Sequence, residues 1–192
     1  MKKVCVYCAS STSIDEKYIN VAKELAAELV NNNYGVVYGG GEVGLMGALA
    51  DKVLELGGSI TGVIPRFMVE VEWAHKKVKD MVQVETMYER KTKLIEDVSA
   101  VVALPGSTGT LDELADVISL KKLGIFTKPI IIINSFGFYD PLLELFEKMI
   151  EERFMRPEHR NIWSSVRTAD EVVNAIVTAP EWNENAIKIA AL

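Results

Sequence analysis

The stretch Val101-Val102-Ala103-Leu104-Pro105-Gly106-Ser107-Thr108-Gly109-Thr110-Leu111-Asp112-Glu113 decides how the chain folds. A β-branched apolar run ends in Pro-Gly, small residues follow, and an apolar-periodic pattern opens with two carboxylates in its first turn. That order predicts strand, loop and helix. A helix start leaves backbone N–H groups without partners. Side chains as small as those of Gly106, Ser107, Thr108, Gly109 and Thr110 let an anion reach them, which suits a phosphate or a carboxylate. Glu113 lies one short turn beyond, where it is able to bond a sugar hydroxyl, position a water or stabilise developing positive charge. Taken alone, the stretch is better read as an ordinary βα turn with a capping hydroxyl and acids that suit the helix dipole. Its neighbours shift that balance.

Outward from this stretch, strand-like and helix-like patterns alternate along the chain. Residues 3–9 are apolar and β-leaning, and the polar loop Ser10-Ser11-Thr12-Ser13 leads into a helical pattern from Tyr18 to Val30 that Asn31-Asn32-Asn33 ends. Residues 36–38 form a short strand, 45–56 a helix closed by Gly57-Gly58, and 60–64 a strand closed by Pro65. The pattern breaks over 66–79, the longest candidate for a loop or lid. A strand over 81–84, a helix over 87–97, the strand over 100–104 and its helix to about residue 123 follow. The four isoleucines 130–133 mark a strand buried on both faces. A helix then runs from Tyr139-Asp140-Pro141 to residue 153, an edge strand is expected over 162–166 and a last helix over 171–177. The tail 180–192 looks loosely held. Such alternation implies an α/β chain, a single domain over 1–192, with three-layer Rossmann-like architecture: a mostly parallel central sheet flanked by helices. Ligands bind such sheets beyond the carboxyl ends of the strands, so the loops after Ala9, Tyr38, Ile64, Leu104 and Ile133 are the ones to search.

A chain of 192 residues is long enough for one substantial core and short for two. Its net charge of −6 opposes nucleic acid and anionic membranes as main partners, because their phosphates would be repelled on average. The Met-Lys-Lys start has too few apolar residues behind it for a secretory signal, and no run approaches the roughly 18 needed to span a bilayer, so the expected location is cytoplasmic. Cys5 and Cys8 have C-x2-C spacing but no second pair, and the only histidines are His75 and His159. In a strand those thiols point to opposite faces, so buried free thiols are expected rather than a metal site or disulfide.

Gly39, Gly41 and Gly44 satisfy G-x-G-x-x-G after a strand. The next strand ends in Pro65 with no acid to hold a ribose, so a mononucleotide turn or a plain tight turn fits better than a nicotinamide site. The Gly106–Thr110 loop lacks the lysine and spacing of a Walker motif. Arg90 and Lys91 stand at a helix start, where each cation opposes the macrodipole by about 0.3–1 kcal/mol; either an anion offsets them or they lie on a solvated face.

Together these segments resemble the Lonely Guy (LOG) family, the cytokinin riboside 5′-monophosphate phosphoribohydrolases, with bacterial relatives long labelled lysine decarboxylases. The resemblance rests on Gly39-Gly40-Gly41-x-x-Gly44-Leu45-Met46-Gly47, Gly62-Val63-Ile64-Pro65, Met87-x-x-Arg90-Lys91 and Pro105-Gly106-x-x-Gly109-Thr110-x-x-Glu113. It implies that Arg90 and Glu113 are the catalytic pair, that Lys91 lies beside them, and that Gly106, Ser107, Thr108, Gly109 and Thr110 wrap a 5′-phosphate. It also places Glu72 and Ser119 in contact with substrate, and Ser10, Gly40, Gly41, Gly44 and Met46 complete the candidate substrate-binding set. Three positions depart from the family pattern: Ser119 replaces Thr, Tyr88 replaces His, and Ser107 replaces Gly. If Ser107 had positive φ it would cost about 1–2 kcal/mol, whereas its hydroxyl on a charged phosphate would contribute about 1.5–3 kcal/mol. The implied activity is an N-glycosidase on a nucleoside 5′-monophosphate, AMP or a cytokinin riboside 5′-monophosphate, using no metal or redox cofactor, in a homodimer. The alternative is a non-catalytic carrier of a nucleotide or of molybdenum cofactor on the same fold. No pyridoxal phosphate lysine is apparent.

Overall fold

The computed structural model describes residues 1–70 and 73–190. Seven strands, β1 (Lys3–Tyr7), β2 (Gly35–Tyr38), β3 (Ile60–Pro65), β4 (Asp80–Val84), β5 (Ala100–Ala103), β6 (Ile130–Ile133) and β7 (Ser164–Val166), form one sheet in the order β4-β3-β2-β1-β5-β6-β7. Every pairing is parallel. The chain winds outward from β1 in one direction, returns, and continues from β5 in the other. That reversal opens a crevice beyond the carboxyl ends of β1 and β5.

The period of two along each strand divides the core. Val4 and Val6 of β1, with Ile131 and Ile133 of β6, face one layer; Cys5 and Tyr7, with Ile130 and Ile132, face the other. The first layer holds α1 (Glu16–Asn31), α2 (Gly44–Glu55) and α7 (Val172–Thr178). α1 buries Val21, Ala22, Leu25, Ala26 and Leu29, one stripe at helical spacing. Each such leucine or valine contributes about 1.5–3 kcal/mol by leaving water. The second layer holds α4 (Met87–Ile95), α5 (Thr108–Lys122) and α6 (Asp140–Glu151), anchored by Leu94, Leu114, Val117 and Ile150. Cys5 and Cys8 are free, buried and divided between the two layers.

Three local expectations are revised. Because α5 starts at Thr108, Asp112 and Glu113 fall in its second turn, and its first turn contains no acid. Part of the proposed loop after β3 is the short helix α3 (Arg66–Glu70). The tail docks on the far end of α5: Trp182 Nε1 donates to the Lys121 carbonyl at 2.6 Å, Ala186 is buried, and a 3-10 helix spans Glu184–Ile189. Its few apolar residues have no regular period, so the sequence carried no signal for this docking.

Candidate active site

Arg90 is set by the start of α4. The Thr86 hydroxyl caps the helix by accepting the Glu89 N–H at 3.1 Å, while the Glu89 carboxylate accepts the Glu85 N–H at 2.8 Å. Arg90 follows on the inner face and is buried. Its Nε donates to the Val63 carbonyl at 3.2 Å and its Nη2 to the Gly39 carbonyl at 3.0 Å, both near the carboxyl ends of strands. Only glycine permits this approach at position 39, where a Cβ would stand 2.3 Å from Nη2. The remaining guanidinium nitrogen, Nη1, lies 3.4 Å from Glu113 Oε1. Two carbonyls and one carboxylate thus offset the cation at a helix start.

Glu113 reaches this point from the second turn of α5 and is 6% exposed. Loss of water pushes its carboxyl up to about 7; Arg90 opposes the shift, Asp112 adds to it and Lys91 opposes it. A carboxyl balanced near neutrality, beside a cation and facing a cavity, is equipped to carry negative charge or exchange a proton at physiological pH.

The cavity has a volume of about 390 Å³ and lies beyond the ends of β1, β2, β3 and β5, with Arg90, Glu113, Ser10, Gly41, Met46, Ser107, Gly109 and Thr110 on its wall. Ser107 is the N-cap of α5, and its side chain makes no capping bond. The cap leaves its hydroxyl and the first-turn N–H groups available to an anion. Its φ is −92° and ψ −164°, an extended backbone that serine adopts without strain. Gly106 is required by a close approach, because a Cβ there would stand 2.1 Å from Thr110 Oγ1; a Cβ on Gly109 would meet nothing within 4 Å. Thr108 is exposed on the same turn.

The other glycine loop mainly supports this arrangement. Gly40 has φ +79° and packs against Ile64, and Gly44 has φ +64° with room for a Cβ denied by Ser11 O at 2.5 Å. The Met46 N–H, in the first turn of α2, donates to Ala9 O at 3.1 Å, so the loop after β1 occupies that helix start. Lys91 and Ser119 stand outside the cavity wall: Lys91 Nζ lies 3.3 Å from Asp112 Oδ1 and 3.4 Å from Asp116 Oδ1, and the Ser119 hydroxyl donates to Ala115 O at 2.8 Å. Glu72 lies outside the described residues. Sequence reasoning missed Glu42, Met68, Trp73 and Met87, all on the wall. Met87 was findable, since it precedes Arg90 by three residues and shares its helix face. Among the described residues no group of three or more His, Cys, Asp or Glu is placed to hold a metal ion, and no helix is long and apolar enough to cross a membrane.

Against known proteins, residues 46–176 match the family model described as "Possible lysine decarboxylase". Over 97% of its length the chain is 38% identical to cytokinin riboside 5′-monophosphate phosphoribohydrolase LOG5 of Arabidopsis thaliana, covering 82% of that protein. LOG1 of the same plant is 39% identical over 91% of the chain and 82% of its own length. The chain belongs to the LOG family. Solved structures of similar shape include the molybdenum cofactor carrier protein of Chlamydomonas reinhardtii, with TM-score 0.71, 17% identity and coverage of 93% of this chain and 97% of that one. The molybdenum cofactor binding protein of Rippkaea orientalis gives TM-score 0.70, 18% identity and coverage of 93% and 99%. At these identities the likeness is one of fold. For this LOG-family chain the family model's description has no counterpart in the site: among the described residues no lysine lines the cavity to form a Schiff base with pyridoxal phosphate.

Proposed function

We propose that this LOG-family chain hydrolyses the bond between base and ribose of a nucleoside 5′-monophosphate, releasing the free base and ribose 5-phosphate. The observation that carries this reading is the Arg90–Glu113 pair, 3.4 Å apart and buried at the edge of a cavity that also contains an uncapped helix start. Breaking the C1′–N bond sends its electron pair to the base and leaves positive charge on the sugar. A carboxylate near C1′ stabilises that charge and is able to take a proton from the water whose oxygen bonds to C1′; the departing base nitrogen takes up a proton in return, from that carboxyl or from solvent. In this scheme Glu113 supplies the carboxylate, Arg90 fixes its orientation and keeps part of it ionised, and the first turn of α5 with Ser107 holds the 5′-phosphate. The names of the relatives support a cytokinin riboside 5′-monophosphate as substrate; AMP is the simplest member of the same class, and a homodimer remains our expectation for the assembly.

A Ser107 strained in the place of glycine would impair turnover and so favour the carrier alternative. With φ at −92° the strain argument lapses, so this residue no longer favours a carrier. Incubation with AMP and with an N6-prenylated analogue, followed by chromatography for free base, tests the proposal. Release of base from either supports it; tight binding of both with no base released from these or other common monophosphates leaves the carrier.

A further inference from the structure

Residues 73–75 are stitched by backbone hydrogen bonds to the loop after β2, at the edge of the cavity. The Trp73 N–H donates to Met68 O at 3.1 Å, and its carbonyl accepts the Glu42 N–H at 3.2 Å. Ala74 forms an antiparallel bridge with Gly41, and the His75 N–H donates to Gly40 O at 2.9 Å. Below this stitching the His75 side chain is 1% exposed. Its Nδ1 accepts the Lys77 N–H at 3.3 Å, and its Nε2 lies 3.6 Å from Asp51 Oδ1 on α2, which also takes Lys77 Nζ at 2.8 Å. Trp73, on this fixed backbone, lines the cavity yet is 59% exposed.

An indole left largely in water on a rigid backbone presents wide apolar area with only two side-chain torsions to order when something covers it. Its place suits a base. The anion cradle lies beyond β5 and the Trp73 segment is stitched to the loop beyond β2, with β1 between. Two strand spacings come to about 10 Å, roughly the span from a 5′-phosphate to the base it carries. Glu113 reaches in from α5 on the cradle side to meet Arg90, which is bonded to the Val63 and Gly39 carbonyls on the other, so the pair spans the interval where the sugar would lie; the thioethers of Met46, Met68 and Met87 supply an adaptable apolar wall.

We propose that Trp73 is the platform on which the substrate base stacks, and that His75, set against Asp51, is a positioning residue that holds it there. The inference rests on the nucleotide reading of the cavity. Every base has a π face, so the platform grips by area and favours purines over the smaller pyrimidines.

The test compares wild type with Trp73→Ala, Trp73→Phe and His75→Gln, using AMP and UMP as substrates and AMP quenching of tryptophan fluorescence as a readout independent of turnover. Trp73→Ala is expected to raise KM for AMP roughly tenfold or more, the range of a lost base–aromatic stack, with a smaller change in kcat and a narrower preference for AMP over UMP. Trp73→Phe retains most of the affinity and loses the quench, because Trp163 and Trp182 lie elsewhere. His75→Gln raises KM in the wild-type background and adds little in the Trp73→Ala background, as a residue acting through Trp73 must; an undiminished effect in both backgrounds would overturn its positioning role. A KM for AMP within twofold of wild type in Trp73→Ala, or a quench that survives in Trp73→Phe, would overturn the platform. If wild type released no base from any monophosphate, the hydrolase reading would fail, yet a quench abolished by Trp73→Phe would still support the platform.

Discussion

Replacing Glu113 with Gln separates charge from shape at the centre of the proposed site. A carboxylate about 4 Å from a unit positive charge contributes about 4 kcal/mol at an effective dielectric of about 20, roughly a thousandfold in rate. Glu113→Gln should therefore lower kcat for release of adenine from AMP by about 10²–10³ while AMP still binds. The same substitution has an opposite effect on stability. Burial raises the carboxyl from 4.5 to about 7 in the folded chain, so between those values the folded state holds a proton that the unfolded state has lost. Stability from this group is complete below pH 4.5 and declines as pH rises through about 7. Glutamine mimics the neutral form, so the variant should match wild type in acid and exceed it by up to about 3 kcal/mol above neutrality. Wild-type kcat/KM should rise with pH around 7, and that limb should vanish in the variant. Chromatographic assay and thermal melts from pH 4.5 to 9 measure both effects. A variant keeping more than about a tenth of wild-type kcat would put less than about 1.4 kcal/mol at stake, and a stability difference that did not grow with pH would refute the assigned burial cost.

Arg90→Lys keeps a cation but not the fork that reaches Val63 O, Gly39 O and Glu113 together, so kcat should fall at least tenfold with the fold retained; a large drop in melting temperature with kcat intact would make Arg90 structural. Ser107→Gly should destabilise the protein by about 0.4–1 kcal/mol, since φ −92° gives glycine nothing to relieve. It should also raise KM for AMP about tenfold through loss of a bond to charged phosphate, and an unchanged KM would remove Ser107 from the cradle. Gly109→Ala, entering open space in the first turn of α5, should raise the melting temperature of the ligand-free protein by an amount equivalent to about 0.5–1 kcal/mol, whereas Gly106→Ala should destabilise by about 1–3 kcal/mol as it drives Thr110 aside. Melts with and without AMP report both, and equal effects of the two alanines would contradict the close contact at Gly106.

The parallel sheet was legible because its strands are short apolar runs punctuated by turn residues, with Ile130–Ile133 the clearest case. The small residues of 106–110 were legible as a loop before a helix start, and the structure has that start at Ser107 with no side-chain capping bond. The meeting of Arg90 with Glu113 was not legible, because it depends on α4 and α5 converging over the ends of β3, β2 and β5; only the resemblance to a family joined those residues. The backbone angle of Ser107 was equally out of reach, since serine occupies extended and left-handed regions at different cost and the sequence does not say which is imposed. Trp73 was hidden for another reason: it lies in a segment, 66–79, that mixes apolar residues with acids and lysines and sustains no helix or strand period, and its place in the cavity wall follows from the bridge between Ala74 and Gly41, a contact between segments more than thirty residues apart.

A shifted ionisation is weak evidence of a site by itself, and the chain contains its own control. Lys121 is as buried as Glu113, and burial pushes its amine down to about 8. Its Nζ, however, donates to the Lys128 carbonyl at 3.0 Å and lies near the Trp182 ring, away from the cavity, so its discomfort is contained within the packing where the tail meets α5. Glu113 has the Arg90 guanidinium 3.4 Å away, a cavity in front of it and an uncapped helix start beside that cavity. Neutralising Lys121 would satisfy the fold and change nothing at the cavity, whereas neutralising Glu113 would satisfy the fold and remove the negative charge that stands 3.4 Å from Arg90 on the cavity wall. The likeness of fold to molybdenum cofactor proteins positions the loops. Whether this chain reacts with its ligand or merely holds it depends on that one carboxylate being kept, at a cost in stability, partly ionised.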